Sequence, residues 1–194
     1  MSANLITIKD FKTYKGINSE EADPIISLLI GGASSFVKEY TGRSLVDYAK
    51  KNKVEYFNAL DYGNYMPDEF PILEVAELAV STDGGVTYTV LTENTDYFVD
   101  FQEDMIINNT GYTGFVTSTT ITHNSGRITY KGGYEEVPLD IKLATMDLVE
   151  FYRKEEYSPS KALQGASIEH AVFTQHANML PPHIRRVLDL YRVL

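Results

Sequence analysis

The sequence predicts an α+β fold in which a small helical bundle packs with antiparallel β-hairpins. Two long amphipathic helical patterns, at 24–41 and 138–156, enclose a region of short β-prone stretches separated by turn residues. A short N-terminal helix and a C-terminal extension with a short helix complete the predicted order. The hydrophobic share of 43% is enough for a core, so the fold needs no disulfide or metal.

Capping residues mark the first helix. Thr7 followed by Asp10 has the pattern of a capping box, in which each side chain bonds the backbone N–H of the other residue. Gly16 stands where the helix would end, because glycine readily adopts the left-handed conformation found after helices. These signals predict a helix over Ile8–Lys15.

The second helix is the clearest amphipathic element of the chain. Asp23 followed by Pro24 predicts its start, with an acidic N-cap and a proline at the first helical position. Gly42 predicts its end. Its apolar side chains recur at helical spacing and must face a core. They are Ile26, Leu29, Ile30, Ala33, Phe36, Val37 and Tyr40.

The region between 44 and 137 is predicted to form short strands. Pro71 is expected just before its strand, where a missing N–H costs nothing, and Asp83–Gly85 is expected to form a hairpin turn. The stretch 108–125 is either a mobile loop or an extended hairpin arm, and the sequence leaves both open. The predicted strands are Val54–Asn58, Val75–Ser81, Val86–Leu91, Tyr97–Phe101, Met105–Ile107 and Arg127–Lys131.

The C-terminal third of the chain contains the remaining helices. Pro138 opens the third helix, which extends to about Glu156. Residues 160–180 have weak periodicity and are expected to be extended or loosely ordered, and Pro181 introduces a last short helix. The predicted domains are an α+β domain over 1–158 and a C-terminal extension over 159–194.

Acidic side chains are concentrated in the middle of the chain. Residues 54–137 carry fourteen acidic side chains against only Arg127 and Lys131, whereas the flanks, 1–53 and 138–194, have formal charges of +2 and 0. An acidic surface repels phosphates, so the lysine and arginine footprint of a specific nucleic-acid binder is missing. The simplest interpretation is a solvated, soluble surface.

No motif for catalysis, metal binding or nucleotide binding is found in the sequence. The absence of cysteine excludes a disulfide framework, a cysteine nucleophile and thiolate metal sites. His170, His176 and His183 do not have the i, i+3 or i+4 spacing of helical metal ligands. No G-x-G-x-x-G, P-loop or G-x-S-x-G sequence occurs. We therefore predict no cofactor, no metal and no enzymatic activity.

Membrane and export signals are also missing. No apolar stretch approaches the roughly 20 residues of a membrane span, and the N-terminus lacks the pattern of a secretory signal. The sequence therefore predicts a soluble protein of the cytoplasm. Its fourteen tyrosines, a residue favoured in interfaces, indicate contacts with proteins more than catalysis.

The order of elements carries a resemblance to a known family. A helix ends in KTYKGI (Lys12–Ile17), and the long helix reads DPIISLLIGGASSFVKEYTGR (Asp23–Arg43). The β-region begins near FPILEV (Phe70–Val75), and a strand then leads into a helix through ITYKGGYEEVPLDIKLATMDLVEFY (Ile128–Tyr152). Over about residues 5–157 the chain resembles the head–tail connector proteins of tailed bacteriophages, also called head-completion or adaptor proteins.

The resemblance implies a structural subunit of the virion neck. Such proteins assemble as a ring, typically of twelve copies, beneath the portal protein of the filled head. The ring would complete the head and offer its other face to a stopper or tail-completion protein, after assembly in the host cytoplasm. Genomic DNA would pass through the lumen without specific binding, and the acidic middle of the chain would line that channel.

Two sets of residues are candidates for contacts in such a ring. The stretch 108–125 is a candidate inter-subunit or lumen loop, represented by Tyr112, Phe115, Thr117 and Ile121. The C-terminal helix is a candidate portal-docking element, with its apolar stripe in a groove of the partner. Its residues are Ile184, Val187, Leu188, Tyr191, Arg185 and Arg192. The alternative, that this helix folds back on its own domain, stays open.

Two rival functions remain at this point. One is another phage assembly component, such as a stopper or tail-terminator protein, which would differ in the neighbour that it binds. The other is a small hydrolase whose site the sequence does not reveal. A concave pocket with convergent titratable groups would favour the hydrolase.

Overall fold

A computed structural model of the chain describes residues 3–58, 64–109, 123–154, 161–163, 166–168 and 180–193. The chain forms two compact units. The helical unit comprises Met1–Arg43 and Val137–Leu194, and the β unit comprises Ser44–Glu136. The domain division predicted from the sequence, 1–158 and 159–194, stays a prediction; in the structure the C-terminal helix packs against the second and third helices of the same unit.

The predicted α+β class is confirmed, and the paired strands of the described residues run antiparallel. In chain order the elements are α1 (Ile8–Lys15), α2 (Asp23–Thr41), β1 (Lys53–Phe57), β2 (Asn64–Tyr65), β3 (Ile72–Val80), β4 (Thr89–Val90), β5 (Tyr97–Asp100), β6 (Met105–Asn108), β7 (Gly126–Gly132), α3 (Leu139–Arg153), β8 (Lys161–Leu163), β9 (Ala166–Ile168) and α4 (Pro182–Asp189).

The ends of α1 follow the predicted signals. Thr7 Oγ1 accepts a hydrogen bond from the backbone N–H of Asp10 at 3.1 Å, and Asp10 Oδ2 accepts one from the backbone N–H of Thr7 at 2.9 Å. The capping box is therefore confirmed. Gly16 and Gly42 both adopt the left-handed conformation, with φ of 65° and 74°, and end α1 and α2 as predicted.

Two helix starts differ by one residue from the prediction. Ala22 is the N-cap of α2, so Asp23 lies in the first turn, where its charge faces the positive end of the helix dipole. Pro138 has a ψ of 143°, which is not helical, so it caps α3 and the helix begins at the next residue. The last helical residue of α3 is Arg153, whereas the prediction extended the helix to Glu156.

The helical unit is held together by apolar faces of its helices. α2 packs against α1, α3 and α4, and α3 also packs against α4. Burying a large aliphatic side chain contributes about 1.5–3 kcal/mol before the entropy cost. The buried apolar side chains of these helices are Phe11, Ile26, Ile30, Ala33, Val37, Ile141, Ala144, Leu148, Val149, Ile184 and Leu188.

The β unit is built on a four-stranded sheet with the order β1-β7-β3-β4 and a three-stranded sheet with the order β2-β6-β5. Each of the six predicted strands overlaps an observed one, while the two-residue strand β2 was not predicted. The turn at Asp83–Gly85 lies between β3 and β4, and Gly84 and Gly85 have φ of 79° and 87°. One core joins side chains of both sheets: Ile72, Leu78, Tyr97, Ile106, Ile128 and Tyr130.

The segment 160–180 contains one strand pair in its described part. β8 and β9 pair antiparallel, with Lys161 opposite Ile168, a pairing that its weak periodicity did not predict. Within the described part of the chain, no helix is long and apolar enough to cross a membrane.

Candidate interaction surfaces

A buried network of acidic and tyrosine side chains lies in the β unit. Glu55 on β1 is only 7% exposed, and its Oε1 accepts hydrogen bonds from Tyr130 Oη at 2.5 Å and from Lys53 Nζ at 2.6 Å. Its Oε2 accepts from Tyr65 Oη at 2.7 Å and from the backbone N–H of Asp68 at 3.2 Å. Both oxygens of the buried carboxylate are thus bonded, as a charge removed from water requires.

A second buried carboxylate extends this network. Tyr130 Oη also accepts a hydrogen bond from the backbone N–H of Glu69 at 2.9 Å. The carboxylate of Glu69 in turn accepts from the backbone N–H of Ser44 at 2.6 Å and of Leu45 at 3.2 Å. The network therefore links three strands (β1, β2 and β7) and two loops of the β unit in one arrangement.

The pKa values of the network follow from this geometry. Burial by itself would raise the pKa of Glu55, but the hydrogen bonds from Lys53, Tyr130 and Tyr65 outweigh it and hold that pKa below its ordinary value. Burial, followed by the proximity of Glu55, raises the pKa of both tyrosines. Glu55 is therefore ionised and its tyrosine and lysine donors are protonated, with two hydrogen-bond donors on each carboxylate oxygen.

Gly132 and Gly133 lie in the strand-to-helix junction between β7 and α3, which is part of the family resemblance, and close packing requires both of them. A Cβ on Gly132 would collide with the carbonyl oxygen of Glu69, and a Cβ on Gly133 would collide with the carbonyl oxygen of Leu45. Gly133 also has a φ of 93°, which only glycine adopts without strain. The pair is therefore required for the close packing of β7 against the loops that hold the network.

The described residues give no support to a metal centre. No group of three or more His, Asp or Glu side chains in the described ranges could hold a metal ion. His183 is exposed and lies 3.9 Å from Asp147 Oδ2, and His123 is exposed in the β unit. His170 and His176 lie outside the described residues.

The formal charge is divided unequally between the two units. Residues 44–136 carry five basic and fifteen acidic side chains, whereas the rest of the chain carries twelve of each. The β unit therefore holds the whole net charge of −10. Arg127 and Lys131 are paired with Glu77 at 2.7 Å and with Glu74 at 2.6 Å, so they offer little positive charge to a further partner.

The apolar side of the predicted docking helix faces its own unit. Ile184 and Leu188 are 1% and 0% exposed, and α4 packs against α2 and α3. Val187 and Tyr191 are half-buried, and Tyr191 Oη donates to the carboxylate of Asp140 at 2.8 Å. Of the two alternatives left open by the sequence, this structure has the helix folded back, so Ile184 and Leu188 are not available to a partner in this conformation.

The two predicted docking arginines are accessible: Arg185 lies on α4, and Arg192 follows the end of that helix. Arg185 and Arg192 are exposed. Arg185 Nε lies 3.6 Å from Asp189 Oδ2, and the Arg192 guanidinium lies 5.8 Å from the centre of the Tyr40 ring. A role of this helix in portal docking stays a prediction, and only its outer side is open to it. The predicted loop residues Tyr112, Phe115, Thr117 and Ile121 lie outside the described residues.

The comparison with protein families decides what kind of protein this is. The family model for the head completion protein matches residues 4–194, which is almost the whole chain. The chain belongs to this family. The expected resemblance and the expected structural role in a phage particle are thereby confirmed.

Similar proteins agree with this assignment. The chain is 21% identical to the head completion protein of Escherichia phage T5, over 97% of this chain and 98% of that protein. Its fold is similar to that of a chain in the neck of an empty gene transfer agent particle with C6 symmetry. The TM-score is 0.56 and the sequence identity 14%, over 98% of this chain and 90% of that chain. For a neck chain of the native particle with C12 symmetry, the TM-score is 0.53 and the sequence identity 13%, over 100% of this chain and 96% of that chain.

Sequence reasoning missed the network around Glu55. Its signal was present, because Glu55 occupies the middle of a short β-prone stretch between the outward-facing Val54 and Tyr56. A carboxylate at an inward position of a strand needs bonded partners. The sequence does not say which ones, since Tyr130 follows 75 positions later.

Proposed function

We propose that the chain is a structural subunit of the phage neck, where copies form a ring beneath the portal, complete the DNA-filled head and provide the docking surface for the tail. The observation that carries this proposal is the match to the head completion family over residues 4–194. Two neck chains of the same fold come from assemblies with C6 and C12 symmetry, which favours a ring of twelve copies.

The charge distribution fits a subunit that borders a DNA channel. The β unit has a formal charge of −10. DNA binding by counterion release requires lysine or arginine side chains that neutralise phosphates, and a strongly acidic surface repels phosphates instead. We infer that part of this unit faces the lumen and lets genomic DNA pass without binding it. The neutral helical unit then supplies contacts with proteins.

The proposed role is mechanical and requires no catalysis by this chain. Tyr65 and Tyr130, whose pKa values are raised by burial and by the nearby Glu55, are bonded to Glu55 within the β unit. Their environment stabilises one packed arrangement. The partners of the ring are the portal on one face and a stopper or tail-completion protein on the other.

The proposal is tested by mixing the purified chain with the portal of its own particle and imaging the product by electron microscopy. We expect a ring on the portal axis, at the end away from the capsid interior. Assembled tail tubes of the same phage serve as the competing partner in a parallel sample. Attachment to the tubes alone would overturn the proposal in favour of a stopper or tail-terminator protein.

A further inference from the structure

We propose that neighbouring copies in the ring contact each other through two different patches of the helical unit. The α2 patch consists of Ile25, Leu28 and Gly32, and the C-terminal patch consists of Leu139, Leu143 and Leu190. This inference rests on the proposed ring and names the surfaces that build it.

The α2 patch is an apolar face without a partner among the described residues. Ile25 is 63% exposed and Leu28 is 76% exposed, although α2 buries Ile26 and Ile30 on its other side. Positions 25, 28 and 32 follow the i, i+3, i+7 spacing of one helix face. The helix is therefore apolar on a side that the described residues do not cover.

Gly32 lies on the same face, and no packing contact among the described residues requires a glycine there. Apart from its own helix turn, no described residue has an atom within 4 Å of the position that its Cβ would occupy. Glycine in a helix interior is unfavourable compared with alanine, so it is expected where another backbone must approach closely. A neighbouring subunit on this face supplies such an approach.

The C-terminal patch lies at a different place on the same unit. Leu139 is 81% exposed, Leu143 is 46% exposed, and both lie one turn apart on α3. Leu190 is 76% exposed and directly precedes Tyr191, whose hydroxyl bonds the carboxylate of Asp140. The three leucines therefore belong to one end of the helical unit.

The two patches are separate. The backbone N–H of Val193 donates to the carbonyl oxygen of Thr41 at 2.9 Å, which fixes the C-terminal patch near the end of α2. Ile25 precedes Thr41 by sixteen residues, about 24 Å along a helix that rises 1.5 Å per residue. A ring needs a head-to-tail contact between two unlike surfaces, and one chain carries both of them.

Charges beside the patches are complementary. Glu20 and Glu21 lie three and two residues before the first residue of α2, are exposed and have no ion-pair partner among the described residues. Arg186 is exposed on α4, one turn before Leu190, and makes no ion pair within the same described part of the chain. Acidic residues around one patch and an arginine beside the other favour a second copy over a different partner.

Disulfide cross-linking tests this contact directly, because the chain contains no cysteine of its own. Three variants are prepared: Leu28→Cys, Leu190→Cys and the double variant, with Leu139→Cys as a second choice for the C-terminal patch. Each is assembled on the portal, oxidised and separated on a non-reducing gel. We expect a ladder of multimers from the double variant, and dimers without larger species from an equal mixture of the two single variants.

Controls separate this inference from the proposed function. Val86→Cys, which is 80% exposed in the β unit, measures random collisions and should cross-link at least tenfold less than the mixture. Rings seen by microscopy without a ladder from either cysteine pair would overturn the inference and leave the proposed function intact. Dimers from Leu28→Cys alone, or cross-links from Leu190→Cys to the portal only, would also overturn it. Failure of the wild-type chain to form rings would instead count against the proposed function.

Discussion

The hydroxyl of Tyr130 donates a hydrogen bond to Glu55 Oε1 at 2.5 Å and accepts one from the backbone N–H of Glu69 at 2.9 Å. One side chain on β7 thus satisfies a buried carboxylate on β1 and a buried backbone donor in the loop before β3. This relationship determines how the β unit responds to mutation and to pH.

Removing the hydroxyl with Tyr130→Phe should destabilise the protein by about 1–3 kcal/mol, because it leaves a buried N–H without a partner and Glu55 with one donor fewer. Chemical denaturation of the two proteins measures the change. Tyr56→Phe is the matched control, since Tyr56 is 55% exposed and its hydroxyl makes no hydrogen bond among the described residues. Equal stability of both variants would contradict the role of the network.

The lowered pKa of Glu55 predicts a loss of stability in acid. The folded state binds this proton more weakly than the unfolded state, so the contribution is present above the ordinary value of 4.5 and is lost as the pH falls through the lowered folded-state pKa. The free energy of unfolding should therefore decrease more steeply below that value in the wild type than in Glu55→Gln. Parallel pH profiles would show that Glu55 does not contribute.

The C-terminal helix should stabilise its own unit. Ile184→Ala is expected to reduce the free energy of unfolding by about 2–5 kcal/mol, because the side chain is 1% exposed and its loss leaves a cavity. Thermal or chemical unfolding measures this. An effect below about 0.5 kcal/mol, of the size typical for surface positions, would mean that the helix is not docked on α2 and α3 in solution.

Portal docking by the same helix requires variants that leave its buried side intact. Arg185→Glu combined with Arg192→Glu changes two exposed side chains and should alter the free energy of unfolding by less than about 1 kcal/mol. If the outer side docks on the portal, attachment measured by co-sedimentation should weaken at least tenfold. Unchanged attachment would remove these two arginines from the docking proposal.

Gly32→Ala separates folding from assembly. Alanine is favoured in a helix interior by about 1 kcal/mol, and no described residue outside the helix turn lies within 4 Å of the new methyl group, so the monomer should become more stable. Rings on the portal should nevertheless form less efficiently, as counted by electron microscopy. Gly31→Ala, on the neighbouring half-buried position, should give the same gain in stability with a smaller effect on rings. Equal ring yields from both variants would argue against a close contact at Gly32.

The sequence by itself determined the local features of this protein and its family. The capping box of Thr7 and Asp10 and the left-handed glycines at 16 and 42 depend on neighbours a few residues away, so their signals lie within one short stretch. The six predicted strands and the four helices follow from such signals and from periodicity. The order of these elements along the chain was also enough to indicate the head completion family.

Only the tertiary structure decided which distant parts meet. It placed β7 between β1 and β3, brought Tyr130 to Glu55 and folded α4 back on α2 and α3. The periodicity of α2 predicted its buried stripe, but the exposure of Ile25 and Leu28 became visible only when the rest of the unit was in place. A pattern specifies that an apolar face or a buried carboxylate needs a partner, whereas the identity of that partner depends on the packing of the whole chain.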